Sequence, residues 1–257
     1  MHRTQNPLRA LLVFAVFCLL AFPLTALAAD EKPGNIASEW IMVPVAGHED
    51  EFEAALKAHV AWRKQAGDPF SWRMYQPVIG EDLTYYVIRS GGHHWADLDA
   101  EEAWSAKSKA SEEFGRSVGP HVARYEHYLS EIDPELSNWK GSESYKFYGV
   151  SHRKIKPGGW SKVKAAIEAV KKAAVEQSWT EHWAVSFRIG GHGGMSLVNG
   201  FSDYADMADP EMSAAALLAK SLGSEDAARA VLQDFGANVE NTTYTVMRYR
   251  ADLSTPE

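Results

Sequence analysis

Cysteine is almost missing from this 257-residue chain, which carries only Cys18. Basic clusters are missing too: 26 Lys and Arg stand against 34 Asp and Glu, for a formal charge of −8. No pair of histidines sits four residues apart, and no cysteine pair exists to supply the three or four convergent donors that a metal needs. These absences exclude a disulfide framework and a zinc-finger-type site. The acidic balance argues against nucleic acid or an anionic membrane as partner, because both select basic surfaces. The longest apolar run, Ala10 to Phe22, falls short of the roughly 20 residues needed to span a bilayer.

That run instead belongs to an expected secretory leader over 1–28. Arg3 and Arg9 make a basic start, Pro23 breaks the apolar stretch, and Ala26-Leu27-Ala28 offers small residues for cleavage before Ala29. Cys18 lies inside the run, without the small residues that precede a lipidated cysteine. Cleavage removes Cys18, so the mature chain has neither disulfide nor thiol, and the formal charge moves from −8 to −10 with the loss of Arg3 and Arg9. The expected location is the periplasm or the medium. Stability must then come from a core alone, which 229 residues can supply.

The mature chain reads as a repeat with a period near 110 residues. The first copy, over 38–133, opens with the strand Glu39 to Val45, a turn at Gly47, and a helix begun by Glu49, Asp50 and Glu51, where negative charge suits the helix dipole. Phe52, Ala55, Leu56 and His59 or Val60 follow at helical spacing. The second copy, over 145–253, opens with the strand Lys146 to Val150, turns at Pro157-Gly158-Gly159, and continues with Trp160, Val163, Ile167, Val170 and Ala174 on one helix face. Two strands come next in each copy: Phe70 to Val78 with Leu83 to Arg89, and His182 to Ile189 with Met195 to Phe201. Hairpin turns rich in Gly and Asp join them. Trp95-Ala96-Asp97-Leu98 then matches Tyr204-Ala205-Asp206-Met207, each four residues beyond a glycine, Gly91 or Gly200. A helix with a Phe-Gly pair and a last strand, Arg124 to Glu131 or Thr243 to Arg250, close each copy. Residues 134–144 read as the linker, and Leu217 to Glu225 as an extra helical excursion of the second copy alone.

The order β-α-β-β-α-β is that of a ferredoxin-like unit, so the expected class is α+β: two tandem ferredoxin-like repeats. Such a unit puts both helices on one sheet face. Alternation assigns Phe70, Trp72, Met74 and Val78, with Trp183, Val185, Phe187 and Ile189, to the helix side. Ser71, Arg73 and Tyr75, with His182, Ser186 and Arg188, fall on the other. The two free faces are expected to pack together as a barrel-like pseudo-dimer, burying apolar area worth about 25 cal/mol per Å². The enclosed space is the expected small-molecule pocket, with Arg73, Tyr75, Tyr85, His152, His182 and Arg188 as its candidate lining.

The Val43-Pro44-Val45-Ala46-Gly47 and Ile155-Lys156-Pro157-Gly158 turns, with the twin Trp95 and Tyr204 segments, resemble the dimeric α+β barrel superfamily. The likeness is to its antibiotic-biosynthesis monooxygenase and NIPSNAP-type members in fused, tandem form, over about Ser38 to Leu253. The superfamily includes cofactor-free oxygenases, haem-dependent enzymes, isomerases and regulators, so the resemblance implies a fold and leaves the activity open.

Each candidate group has a plain alternative. His93 and His94 are solvated loop histidines or metal ligands. His182, His152 and His127 are pocket histidines, or axial ligands of the haem that the resemblance allows; no cofactor is expected. Gly190-Gly191-His192-Gly193-Gly194 lacks the following helix of a phosphate loop and reads as a hairpin. Arg73 and Arg188 need partners, since lone buried charge is costly: either acids such as Glu126 or Asp203, or an anionic ligand. Tyr75, Tyr85, Tyr86 and Trp40 stack on a planar guest or belong to the core. Two functions follow. One is an exported binder of a small aromatic or anionic molecule. The other is a cofactor-independent monooxygenase-like enzyme acting on an aromatic or quinol-type compound, with His182 as base. Neither a nucleic acid nor a membrane is an expected partner of the mature chain, and further oligomerisation is left open.

Overall fold

A computed structural model describes residues 33–139 and 145–256. The expected leader and residues 140–144 lie outside that range. Among the described residues no helix is long and apolar enough to cross a membrane.

The first repeat runs β1 (Ile36–Pro44), α1 (Glu49–Gln65), β2 (Arg73–Ile79), β3 (Tyr86–His93), α2 (Trp95–Ser108), α3 (Ala110–Ser117) and β4 (Val122–Asn138). The second runs β5 (Phe147–Ile155), α4 (Trp160–Glu176), β6 (Trp183–Ile189), β7 (Met195–Phe201), α5 (Ala214–Leu222), α6 (Glu225–Ala237) and β8 (Val239–Tyr249). Charge complementarity supports α1: Glu49, Asp50 and Glu51 occupy its first turn, and Arg63 and Lys64 its last. Phe52, Leu56, His59 and Val60 recur at i, i+4, i+7 and i+8 and are buried. In α4 the matching stripe is Val163, Ala166, Ile167, Ala173 and Ala174.

The excursion expected in the second copy alone has a counterpart after all. By chain order α5 stands to α6 as α2 stands to α3. The likeness was hidden because the twin segments differ in shape. Trp95 begins α2 directly, with His94 and Asp97 closing a capping box, whereas Ala205–Met207 makes only a 3-10 turn and the helix starts later, capped by Ser213.

All eight strands form one closed barrel in the order β1-β3-β2-β8-β5-β7-β6-β4. The sheets of the two repeats join edge to edge, antiparallel, through β2 with β8 and β4 with β6. Closure leaves no free strand edge. Outside it, Met42, Met74, Tyr86 and Ile88 pack under α1 with Phe52, Leu56 and Val60. Trp183, Val185 and Met195 pack under α4, α5 and α6 with Val163, Leu217 and Leu218. The alternation expected for the second strand of each repeat is the one observed: Trp72, Met74, Trp183 and Val185 are buried on the helix side.

A reciprocal exchange locks the halves. β4 continues as strand through Asn138, into the stretch read as linker, and carries Leu136 into the core of the second repeat. The tail beyond β8 carries Leu253 into the core of the first. The hydrogen bonds match as well. The Val185 amide donates to Ser137 Oγ (2.8 Å) and the Met74 amide to Ser254 Oγ (2.9 Å). Each hydroxyl in turn donates to a carbonyl four residues back, of Asp133 or Arg250. Glu135-Leu136-Ser137 and Asp252-Leu253-Ser254 are thus one motif used twice.

Candidate pocket at the barrel mouth

The inner faces of the barrel do not enclose one large space. Val87, Tyr148 and Met247 are buried at its centre, packed by Ile41, Tyr75, Tyr85, Val150, Val198 and Tyr249. The ladder explains this plug. Tyr75 pairs with Tyr249 on one side and Val87 on the other, and Met247 faces both Pro77 and Tyr148, so large side chains from four strands meet in register. The Tyr75 ring meets Tyr148 edge-on at 5.2 Å and Tyr249 at 5.7 Å. Burial pushes the Tyr75 phenol up to about 12 and raises that of Tyr85, so both stay protonated at neutral pH.

A recess of about 140 Å³ opens at one mouth, on the side of the second repeat. His152 and Lys154 of β5, Arg188 at the end of β6, Ser196 of β7, Asn241 and Thr243 of β8, and the rim His192-Gly193-Gly194 line it. Strand pairing assembles it: His152 faces Ser196 on one side and Thr243 on the other. Ser196 Oγ and His152 Nδ1 share a hydrogen bond of 2.8 Å. Burial, reinforced by the Arg188 charge, lowers the His152 pKa, so the imidazole is neutral at neutral pH. Arg188 lies 3.3 Å from Glu39, and its guanidinium covers the Tyr128 ring at 4.3 Å. Lys154 pairs with Glu240 at 2.9 Å. Arg153 turns away, over the outer ring of Phe235.

Of the six candidate lining residues, His152 and Arg188 meet in this recess, while Tyr75 and Tyr85 belong to the plug. Arg73 is exposed, opposite Arg89 in the ladder, and has no ion pair among the described residues. His182 precedes β6 and is not part of the recess; its Nδ1 lies 3.1 Å from the Tyr145 hydroxyl. The partner of Arg188 is Glu39 of the other repeat, not Glu126 or Asp203, because closure of the barrel brings β1 and β6 to either side of β4. Tyr86 and Trp40 face the helix side. Sequence reasoning missed Ser196, Thr243 and Asn241. Their signal was the polar alternation Asn241, Thr243, Thr245 along the last strand. The glycine-rich stretch is a hairpin, as read, with the Arg188 amide bonded to the Gly194 carbonyl (3.0 Å), and it also forms the rim.

The histidines weighed as axial ligands sit in three different settings. His127 lies on the outer face, stacked on Trp40 at 4.1 Å and bonded to Ser38. His182 Nδ1 is engaged with Tyr145, and His152 opens on the recess of about 140 Å³, smaller than a whole porphyrin. His93 stacks on Phe70 at 3.6 Å and bonds Ser90, and His94 caps α2. Among the described residues, no three His, Cys, Asp or Glu side chains are placed to hold a metal.

No protein-family model and no curated protein matches this sequence. Solved structures do match its fold. A protein from Fusobacterium nucleatum provisionally named a monooxygenase aligns at 9% identity, with a TM-score of 0.54, over 85% of this chain and 94% of that one. Another of that provisional name, from Lactobacillus acidophilus, aligns at 9% identity and 0.51, over 84% and 94%. A mutant chlorite dismutase from Candidatus Nitrospira defluvii aligns at 10% and 0.51, over 86% and 94%. The likeness is one of fold: a dimeric α+β barrel with both ferredoxin-like halves in one chain.

Proposed function

We propose that this tandem dimeric α+β barrel is an exported protein that binds a small anionic organic molecule, aromatic or not, in the recess beside Arg188. One observation carries the reading. A guanidinium, a neutral imidazole, two hydroxyls and an amide converge on one opening at the mouth of a barrel whose centre is packed by large side chains. A carboxylate or phenolate entering there meets Arg188, whose ion-pair partner Glu39 lies 3.3 Å away. Ser196, Thr243 and Asn241 can satisfy its remaining lone pairs. The volume restricts the guest, or the part of it that enters, to a few heavy atoms.

The test is thermal shift followed by calorimetry, with small carboxylates and phenols on the mature protein. Arg188→Ala is expected to weaken the best ligand by about 10- to 100-fold, the worth of a charge-assisted hydrogen bond, and Ser196→Ala by less. Equal affinity in Arg188→Ala and wild type would remove the assignment. Export is checked by the N-terminal sequence of the protein recovered from the periplasm or medium, expected to begin at Ala29.

The neutral state of His152 favours a second reading, a cofactor-independent monooxygenase-like enzyme acting on a phenol or quinol. A neutral imidazole within a recess can take the phenolic proton, and the adjacent Arg188 would hold the resulting oxyanion. His152 suits this role better than His182, which lies off the recess. Oxygen uptake on addition of a bound phenol, abolished in His152→Ala, separates this reading from simple binding.

A further inference from the structure

A larger opening lies elsewhere, on the outer side of the barrel, where the end of β4 meets α4. This crevice of about 600 Å³ is lined by Asn35, Glu131, Asp133, Trp160, Lys164 and Phe187. The pseudo-twofold relation of the repeats shows what is unusual about it. The register that pairs Val185 with Asp133 and binds Met74 to Arg250 makes Asp133 the counterpart of Arg250. The same correspondence matches Lys164 with Glu53 and Phe187 with Gln76.

In the first repeat these positions form a closed polar network. Arg250 donates to both Glu53 oxygens at 2.6 and 2.7 Å and to Gln76 at 2.9 Å. The Tyr86 hydroxyl donates to Glu53 at 2.6 Å. In the second repeat the charges are exchanged, with Lys on the helix and Asp on the strand, yet no ion pair joins Lys164 to Asp133. Lys164 reaches only Glu168, at 3.8 Å. The amide of Gln76 is replaced by the Phe187 ring, which meets the exposed Trp160 edge-on at 4.7 Å. Across the crevice, Asn35 Nδ2 donates to one Glu131 oxygen at 3.2 Å, and one Asp133 oxygen accepts the Leu136 amide at 3.0 Å. A second oxygen of each carboxylate is left over.

We propose that this crevice binds a zwitterion of the α-amino acid type. Its ammonium group lies between Glu131 and Asp133, its carboxylate meets Lys164, and its side chain rests on the Trp160 and Phe187 rings. The geometry favours a ligand of both charges over one of either. A lone anion would meet two carboxylates, and a lone cation would forgo the contact with Lys164 that the carboxylate of a zwitterion adds. The aromatic pair supplies apolar area that a charge cluster alone lacks. This site is independent of Arg188 and of the function proposed above.

The twenty amino acids are screened by thermal shift on the mature protein, and the best is titrated calorimetrically beside its decarboxylated amine and its deaminated acid. Binding is expected for amino acids with a large apolar side chain. The two singly charged analogues should bind at least about tenfold more weakly. Lys164→Ala and Trp160→Ala should each weaken binding by a similar factor, while Arg188→Ala should leave it unchanged. The double variant Lys164→Glu, Asp133→Arg rebuilds the polarity of the closed network and should abolish binding with the melting temperature maintained or raised. Absence of binding by all twenty amino acids, equal affinity for an analogue of single charge, or full affinity in the folded double variant would overturn the assignment.

Discussion

His59 shows what one side chain can contribute. It is 4% exposed between α1 and α3, against Trp62 and Phe114, and its Nδ1 has no hydrogen-bond partner. Burial, helped by the Arg63 charge and opposed by Glu113 and Asp68, brings its pKa to about 4 from 6.5. The folded value lies below the unfolded one, so the unfolded chain gains the proton first as pH falls. The stability tied to this group is intact above about pH 6.5 and is lost progressively down to about pH 4. A shift of that size corresponds to about 3 kcal/mol. Urea melts across this range should show the slope in wild type and lose this share of it in His59→Leu. An unchanged slope in that variant would place the effect elsewhere. At this scale the sequence was partly legible. Alternation along a strand told which side of the sheet Arg188 and Tyr75 take, because side chains on a strand must alternate. It did not tell that Tyr75 would be sealed in a plug while Arg188 stayed open, since that depends on the strands paired beside them.

Elements carry the repeat. Turn glycines, acidic first turns and period-2 strands are local effects, so both βαββαβ units could be read in order. Residues 134–138 were misjudged because Pro134 suggests a break. The strand continues there through contacts with β6: Asn138 pairs with Trp183, 45 residues away, and Ser137 Oγ accepts the Val185 amide. The twin Leu-Ser motifs carry a prediction. Ser137→Ala and Ser254→Ala each leave a buried amide, of Val185 or Met74, without its acceptor. Each should cost about 1–3 kcal/mol in denaturant midpoint. Ser→Thr should retain the bond and lose less. Gly200 is fixed by a similar long-range contact. A Cβ there would stand 2.2 Å from the Tyr145 ring, so Gly200→Ala should destabilise the Tyr148 end of the β5–β7 pair, away from the recess at the His152–Ser196 end.

The whole molecule adds closure. Separated from its twin, the first repeat presents β2 and β4 as bare edges and loses the Leu253 tail from its core. Expressed alone as residues 33–138, it should appear in light scattering as a dimer or as aggregate, since exposed edges and an uncovered apolar face invite self-pairing. A stable, folded monomer would contradict the interdependence argued from the exchanged tails. The same closure bears on the mouth recess: the second repeat lines it, while Glu39 of the first reaches its Arg188 across β4.

By itself the sequence determined the α+β class, the duplication and the helix-side face of each sheet. Those follow from turn chemistry and from periodicities of 3.6 and 2, all encoded over a few neighbouring residues. Only the tertiary structure decided that the barrel interior is filled, that the open space sits at its mouth and on its flank, and which charges pair. Those outcomes depend on the volumes and charges that distant strands bring into register, and no short stretch of chain specifies them.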